Sequence, residues 1–190
     1  GSIAVDTNDK PRICYVNTTT WGDYKMRYCN KTTGTWTCTE IDSGTDLGGV
    51  CSIAIDSNNV VHIAHYAYGP DDLRYCNNAG GTWSCTAIET SGDIGRYPSI
   101  AIDLNGVVHI VHEDKTNNAL RYCNNAGGTW SCELIGYHGS VGETGIAIDS
   151  NNIVHVYTQN ETGDEKAIYC NNTGDTWSCD VVEVIAGNDM

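Results

Sequence analysis

Cysteine is the residue type whose number and spacing in this sequence point most directly to chemistry. The chain has ten cysteines, and eight of them form four C-x8-C pairs. Paired thiols form disulfides or bind zinc, but zinc sites usually contain two short C-x2-4-C knuckles, which this sequence lacks. Because one pair occurs in every sequence repeat, we expect each pair to form a disulfide within its repeat. The pairs are Cys29 and Cys38, Cys76 and Cys85, Cys123 and Cys132, and Cys170 and Cys179.

The other two cysteines, Cys14 and Cys51, stand where the other repeats have different residues. We expect them to pair and to link the first repeat to the second; two free buried thiols are the alternative. Such a density of disulfides predicts an oxidising compartment, outside the cell or at its surface. Four N-x-[S/T] sequons agree with that compartment and predict N-glycosylation. They begin at Asn17, Asn30, Asn160 and Asn171.

Histidines and aspartates that recur at equivalent positions are candidate metal ligands. His62, His109 and His155 are equivalent in three repeats and would form a metal site if they converged on one axis; we favour a structural role within each repeat. Four aspartates precede short turns in a D-x-[N/D] pattern, but a calcium loop also needs a glycine and a distal glutamate. We therefore favour turns and predict no cofactor, with calcium as the alternative at Asp6, Asp56, Asp103 and Asp149.

An internal repeat organises the chain. The segment RYCNNAGGTWSC at 121–132 occurs identically at 74–85 and in related form at 27–38 and 168–179, so that each copy begins 47 residues after the previous one. A fixed period of this length is typical of repeat architectures. We divide the single domain, residues 1–190, into repeats of about 2–49, 50–96, 97–143 and 144–190.

Each repeat contains four segments with the pattern of β-strands, which we call A to D. Strand A is represented by SIAID at 52–56, strand B by VVHIAH at 60–65, strand C by RYC, and strand D starts at TWSC. Turns rich in Asn and Gly separate them, and helical periodicity is missing. The sequence predicts an all-β fold: a β-propeller of four four-stranded antiparallel blades with about 47 residues per repeat, either a closed ring or an arc of a larger propeller.

The turn between strands C and D resembles the Asp-box, S-x-D-x-G-x-T-W, of sialidase-like propeller repeats. Gly80, Thr82 and Trp83 match the motif, whereas Asn78 replaces its aspartate and Cys76 its serine. The equivalent Gly, Thr and Trp recur in the third and fourth repeats, so the resemblance extends along the chain. It implies an extracellular β-propeller with this turn between the third and fourth strands of each blade. The Asp-box is a folding motif and does not imply an activity.

A hydrolase of the sialidase type would need a cluster of arginines to bind a carboxylate. Three of the five arginines, Arg27, Arg74 and Arg121, occupy one equivalent position in successive repeats. Residues that recur in every blade mostly support the blade, whereas an active site usually breaks the repeat. We therefore predict that the protein is not an enzyme.

The charge of the chain limits its partners. With 24 acidic and 10 basic residues, the formal net charge is −14, which argues against nucleic acid, and no apolar run reaches the roughly 20 residues of a membrane helix. The expected partners are further copies of the chain, another extracellular protein or a glycan. We predict a structural subunit of an extracellular filament or surface assembly. The alternative is a lectin-like module that binds glycan or protein through the variable loops between strands B and C. Its stacking residues would be Trp21, Tyr66 and Tyr68, together with Tyr137 from a link between strands D and A.

Overall fold

The computed structural model describes residues 1–18, 20, 22–31, 33–44, 46–137, 139, 141–160, 165–174 and 176–185. These residues form sixteen β-strands. In chain order the strands are β1 (Ser2–Val5), β2 (Pro11–Thr18), β3 (Tyr24–Asn30), β4 (Thr37–Asp42), β5 (Cys51–Ile55), β6 (Val61–Ala67), β7 (Asp72–Asn77), β8 (Ser84–Glu89), β9 (Ile94–Ile102), β10 (Val108–Asp114), β11 (Ala119–Asn124), β12 (Ser131–Tyr137), β13 (Val141–Ile148), β14 (Val154–Asn160), β15 (Glu165–Asn171) and β16 (Ser178–Ile185).

The strands form four antiparallel sheets, and each sheet contains four consecutive strands in chain order. The first strands of successive sheets, β1, β5, β9 and β13, lie next to one another. This is the arrangement of four propeller blades, as the repeat predicts. The described residues contain no helix, and so none that could span a membrane.

Alternation along the strands explains how the blades pack. All seven residues of β6 are buried, but Ile63 belongs to the core cluster against the first blade and Ala64 to the cluster against the third. Successive side chains of a strand point to opposite faces of its sheet. Each blade therefore has a backward face, which contains Ile63 and its equivalents, and a forward face, which contains Ala64 and its equivalents. The forward face of one blade packs on the backward face of the next.

The four blades form an open arc. Ile3 and Val5 on the backward face of the first blade are 63% and 58% exposed, whereas Ile53 and Ile100, equivalent to Ile3 in the next two blades, are 6% and 7% exposed. These positions differ because no blade of the described chain packs on this face of the first blade. Burying an isoleucine side chain there would be worth about 2 kcal/mol. Of the two predicted arrangements, the structure has the arc.

Five disulfides stabilise the arc, and they join the cysteine pairs that the sequence predicts. Within each blade, the two cysteines of the C-x8-C pair lie directly opposite each other on the third and fourth strands, as in Cys29 with Cys38. The fifth disulfide joins Cys14 of β2 to Cys51 of β5 and so crosses the junction between the first two blades. No cysteine of the chain is free.

Candidate functional site

A cleft lined by aromatic residues opens at the rim of the arc that carries the variable loops. Val50, Tyr66, Tyr68, Arg96 and Tyr97 line a cavity of about 60 Å³. A depression of about 330 Å³ shares Val50 and Tyr68 with it, and one of about 120 Å³ shares Val50 and Tyr97. We call this continuous surface the rim cleft. At its centre Val50 is 40% exposed and Tyr68 is 46% exposed.

Unusual backbone conformations shape the rim cleft. A side chain at Gly49 would place its Cβ 1.9 Å from the carbonyl oxygen of Tyr66, and one at Gly95 would lie 2.5 Å from the Cα of Leu73. Gly95 also has a φ of 94°, which favours glycine. Tyr97 has a φ of 48°, a conformation that costs a non-glycine residue about 1–2 kcal/mol. The first residues of β9 therefore pass close to the second blade, and the strand is irregular at Tyr97, within the cleft.

A charge-balanced arginine forms part of the cleft wall. Arg96 donates hydrogen bonds from Nε and Nη2 to the two carboxylate oxygens of Asp93, at 2.8 and 2.6 Å. These bonds raise the pKa of Arg96 above its ordinary value. The guanidinium carbon lies 5.5 Å from the centroid of the Tyr66 ring, within the range of a cation–π contact. Because a guanidinium has five N–H donors, Arg96 retains donors beyond the two that bind Asp93.

The aromatic residues of the cleft support one another. The Tyr68 ring packs against Tyr66 and Tyr24, with centroid distances of 5.2 and 5.0 Å. The Tyr66 hydroxyl lies between the carboxylates of Asp71 and Asp93, and burial together with these carboxylates raises its pKa far above the ordinary value. Tyr66 is only 2% exposed, so it braces the cleft, while Tyr68 presents a ring to solvent.

Two of the four predicted stacking residues, Tyr66 and Tyr68, thus meet in this cleft. Trp21 lies outside the described residues, as does the side chain of Tyr137, whose backbone ends β12. Our sequence reasoning missed Arg96 and Tyr97. The available signal was that they break the repeat, because the equivalent positions hold Gly-Val at 49–50 and Gly-Glu at 142–143.

The repeated histidines do not converge on one axis. Each one bonds through Nδ1 to a tyrosine hydroxyl of its own blade: His62 to Tyr75 at 2.6 Å, and the two equivalent pairs at 2.5 and 2.7 Å. The other ring nitrogen faces the aspartate at the end of strand A, at 3.6–3.8 Å. In the first blade Arg12 takes the histidine's place between Asp6 and Tyr28. Each set joins the strands of one blade.

The aspartates weighed as calcium ligands have a role in turns. In each case Oδ1 accepts hydrogen bonds from the backbone N–H groups two and four residues later, at 2.8–2.9 Å. This bonding closes the turn between strands A and B. The arrangement holds at Asp6, Asp56, Asp103 and Asp149, and calcium binding there stays a hypothesis.

Two further groups contain several potential metal-binding atoms among the described residues: Asp42 with Cys76 and Cys85, and Glu89 with Cys123 and Cys132. In both groups the sulfur atoms belong to disulfides. A disulfide cannot supply the thiolate that binds a metal. The carboxylate of each group instead contacts an arginine and a histidine of the next blade.

Two repeated arginines bind carboxylates across the junctions between blades. Arg74 donates from Nε and Nη2 to Asp42 at 2.5 and 3.1 Å, and the Nε2 of His65 lies 3.1 Å from the same carboxylate. At the next junction Arg121 and His112 contact Glu89 in the same way. These arginines lie at separate junctions, so they do not form the cluster that a sialidase-type site needs.

The buried ionisable groups predict a loss of stability in acid. Burial lowers the pKa of His62 and His109 below the ordinary value of 6.5, so folding favours their neutral forms. Burial raises the pKa of Asp42 and Glu89, but hydrogen bonds from histidine and arginine outweigh this and hold the pKa below the ordinary values of 3.8 and 4.5. For the two histidines and for the two carboxyl groups alike, the pKa is lower in the folded chain than in the unfolded chain. The unfolded chain therefore binds more protons as the pH falls, which favours unfolding.

We expect the free energy of unfolding to fall as the pH drops below about 6.5 and to fall further below about 4.5. Urea denaturation between pH 8 and pH 3 measures it. A chain with both His62→Gln and His109→Gln should lose the decline between pH 7 and 5 and keep the one below 4.5. An unchanged decline in that variant would contradict the assignment to these histidines.

Comparison with known proteins supports the fold. No known protein family matches the sequence, and no curated protein is similar in sequence. Among solved structures, the chain is similar to a protein of unknown function from Dyadobacter fermentans, with a TM-score of 0.68 and 14% identity over 95% of this chain and 67% of that one. It is also similar to Aleuria aurantia lectin bound to Fucα1-6GlcNAc, with a TM-score of 0.65 and 12% identity over 97% and 61% of the chains.

A third similar structure is the Hadza microbial sialidase Hz136, with a TM-score of 0.64 and 14% identity over 93% of this chain and 45% of that one. The chain therefore spans 45–67% of the length of these three proteins. At such identities the similarity concerns the fold alone. With the four sheets described above, it defines the chain as an all-β protein with the β-propeller fold, stabilised by five disulfides of the kind found in extracellular proteins.

Proposed function

We propose that this chain is an extracellular, non-catalytic carbohydrate-binding module that holds a neutral glycan in the rim cleft. One observation carries the proposal: the exposed ring of Tyr68 stands in the same cavity as the guanidinium of Arg96, which Asp93 holds in place. The proposed function corresponds to the lectin-like alternative from the sequence and places its ligand at Tyr68.

The chemistry of the cleft suits a sugar. One face of a pyranose ring presents C–H groups, which pack on an aromatic ring, and its hydroxyls accept and donate hydrogen bonds at fixed directions. Arg96 and Asp93 together offer donors and acceptors of this kind at the cleft wall. Because their charges cancel and the chain carries a net charge of −14, a neutral sugar fits better than a sialic acid or a uronic acid.

The similar structures agree with a glycan ligand. They include a lectin in complex with Fucα1-6GlcNAc, a sialidase, and a polysaccharide lyase bound to an oligosaccharide, the last with a TM-score of 0.67 and 11% identity. A non-catalytic role is part of the proposal, because Arg74 and Arg121 are engaged at the junctions between blades. N-glycosylation at Asn17, Asn30, Asn160 and Asn171 remains a prediction; all four are partly exposed residues within strands.

The variant Tyr68→Ala should weaken binding of a neutral glycan about 2- to 12-fold, because stacking on an aromatic ring contributes about 0.5–1.5 kcal/mol. Wild-type protein is first applied to an array of neutral and acidic glycans, and the strongest neutral binder is then titrated calorimetrically. Leu104→Ala is the matched control, since Leu104 is 78% exposed but lies in a turn at the opposite rim. Wild-type protein that binds no neutral glycan, or a Tyr68→Ala variant with unchanged affinity, would contradict the proposal.

The structural-subunit role predicted from the sequence is a second candidate function. A specific observation favours it: both ends of the arc expose apolar residues that are buried at the equivalent positions between blades, such as Ile3 at one end and Val182 at the other.

A further inference from the structure

We propose that copies of this chain associate head to tail, with the forward face of the fourth blade packed on the backward face of the first blade of the next copy. The inference goes beyond glycan binding and does not depend on it. Three junctions inside the chain show which residues of a forward face pack on which residues of a backward face. The uncovered forward face of the fourth blade and the uncovered backward face of the first blade carry the residues for a fourth junction of this kind.

The three internal junctions share an aromatic pair. A tyrosine on the forward face of one blade packs edge-to-face against the Asp-box tryptophan of the next blade, with centroid distances of 4.9, 4.9 and 5.0 Å. Such pairs contribute about 0.5–1.5 kcal/mol beyond the buried area. The pairs are Tyr28 with Trp83, Tyr75 with Trp130, and Tyr122 with Trp177.

One end of the arc carries the tryptophan of such a pair, and the other end carries the tyrosine. Trp36 is the first-blade equivalent of these tryptophans and is 46% exposed. Tyr169 is the fourth-blade equivalent of the tyrosines, and no tryptophan of the described residues packs on it. Aliphatic positions follow the same rule: Val182 is 66% exposed, whereas Ile41, equivalent to it in the first blade, is 8% exposed under the second blade.

Charges at the junctions are also matched. Asp42 and Glu89 occupy the same register position on the fourth strands of the first and second blades, and the next blade presents an arginine and a histidine to each. At the third junction this carboxylate is absent, because the position is Gly136. The fourth blade correspondingly lacks the histidine and the arginine and has Thr158 and Ile168 in their places.

The uncovered faces at the two ends of the arc carry a carboxylate and an arginine at the positions that form ion pairs at the internal junctions. Glu183 occupies the carboxylate position of the fourth blade and is exposed, with no ion pair among the described residues. Arg27 occupies the arginine position of the first blade, and its buried Nε has no hydrogen-bond partner in the described part of the chain. A carboxylate without a cation thus stands on one free face, and a guanidinium without a carboxylate stands on the other.

A hydrogen bond at the third junction also has an equivalent acceptor on the uncovered face of the fourth blade. At the third junction the indole N–H of Trp177 donates to Oε1 of Glu133 at 2.8 Å. Asp180 occupies the equivalent position on the fourth blade, opposite Tyr169, just as Glu133 lies opposite Tyr122. An acceptor is therefore in place for the indole of Trp36 in a second copy.

These matches identify the occupant as a second copy of this chain, because the acidic, aromatic and aliphatic groups of one face complement those of the other at equivalent positions. The two faces differ, so the contact is heterologous. Such contacts form closed rings where the rotation closes and filaments where it does not. Each added copy also continues the blade order of the arc, with the fourth blade followed by a first blade.

Charge reversal tests the contact. Wild-type protein should form oligomers whose mass rises with concentration in sedimentation velocity. Glu183→Arg and Arg27→Glu should each move the midpoint of association to at least about tenfold higher concentration, because each places two like charges at the junction. An equimolar mixture of the two variants should recover association, since every contact between unlike chains again pairs a carboxylate with a guanidinium. Glu143→Arg, an equal charge change at the exposed rim, is the control and should associate like wild type.

A second variant makes the test independent of Arg27, whose partly buried side chain contributes to the first blade. Val182→Asp places a charge on the exposed forward face of the fourth blade and should also weaken association at least about tenfold, while thermal unfolding of the monomer stays unchanged. A wild-type chain that remains monomeric at its solubility limit would overturn the proposal. Reversal variants that associate like wild type, or whose mixture shows no recovery, would equally overturn it.

Discussion

The variant Asp42→Ala should lose about 3–5 kcal/mol in free energy of unfolding, the range for removing one partner of a buried ion pair. Asp42 is 4% exposed and accepts hydrogen bonds from Arg74 and His65 of the second blade. Without the carboxylate, the Arg74 guanidinium remains in the junction without the ion pair and the hydrogen bonds that Asp42 provides. The cost arises from the loss of this ion pair as well as from the lost bonds.

Urea denaturation of dilute protein, at a concentration where the chain is monomeric, measures this loss. Glu89→Ala should show a loss of similar size, because Glu89 has the same pair of partners in the third blade. Glu183→Ala is the matched control. It removes a carboxylate from the same register position, but one with no ion-pair partner in the described part of the chain, and it should change stability by less than about 0.5 kcal/mol. Equal effects of Asp42→Ala and Glu183→Ala would contradict the role of the junction contact.

Removing the disulfide between the first two blades should cost more than removing one within a blade. The Cys14–Cys51 bridge joins residues 37 positions apart, against 9 for Cys29–Cys38. In the chain-entropy model, loops of these lengths correspond to about 4 and about 3 kcal/mol. Cys14 is fully buried and Cys51 is 4% exposed, so truncating these side chains also removes packing atoms from the first core cluster.

The double variant with Cys14→Ala and Cys51→Ala is compared with the one carrying Cys29→Ala and Cys38→Ala, under non-reducing conditions in urea. We expect the first to be less stable by about 1 kcal/mol or more. A smaller loss for the Cys14 and Cys51 variant than for the hairpin variant would show that this bridge does not hold the first junction together.

Much of the architecture could be predicted because the sequence repeats with a fixed period. The period of 47 residues predicts one blade per repeat, and alternation in segments such as VHIAH predicts strands with two different faces. The pairing of Cys76 with Cys85 follows from their recurrence in every repeat. The pairing of Cys14 with Cys51 could be inferred because they were the only cysteines left.

The site was harder to predict than the blades. Tyr66 and Tyr68 were recognised as aromatic residues in a variable loop, but the sequence does not show that Tyr66 is buried and Tyr68 exposed. Arg96 and Tyr97 come from the start of β9. They reach the same cleft because the backbone at Gly49 and Gly95 passes close to Tyr66 and Leu73 of the second blade. Contacts between residues about 30 positions apart depend on the packing of whole blades, which a local pattern does not contain.

The sequence alone determined the local features of this protein: the four strands per repeat, the turns, the hairpin disulfides and the acidic surface. These follow from periodicity and from residue chemistry over short distances. Only the tertiary structure decided that the arc stays open, that Arg74 and Arg121 bind across junctions, and that Glu183 and Arg27 lack partners within the described part of the chain. Each of these depends on the rotation between neighbouring blades, because that rotation determines which faces meet and which remain uncovered.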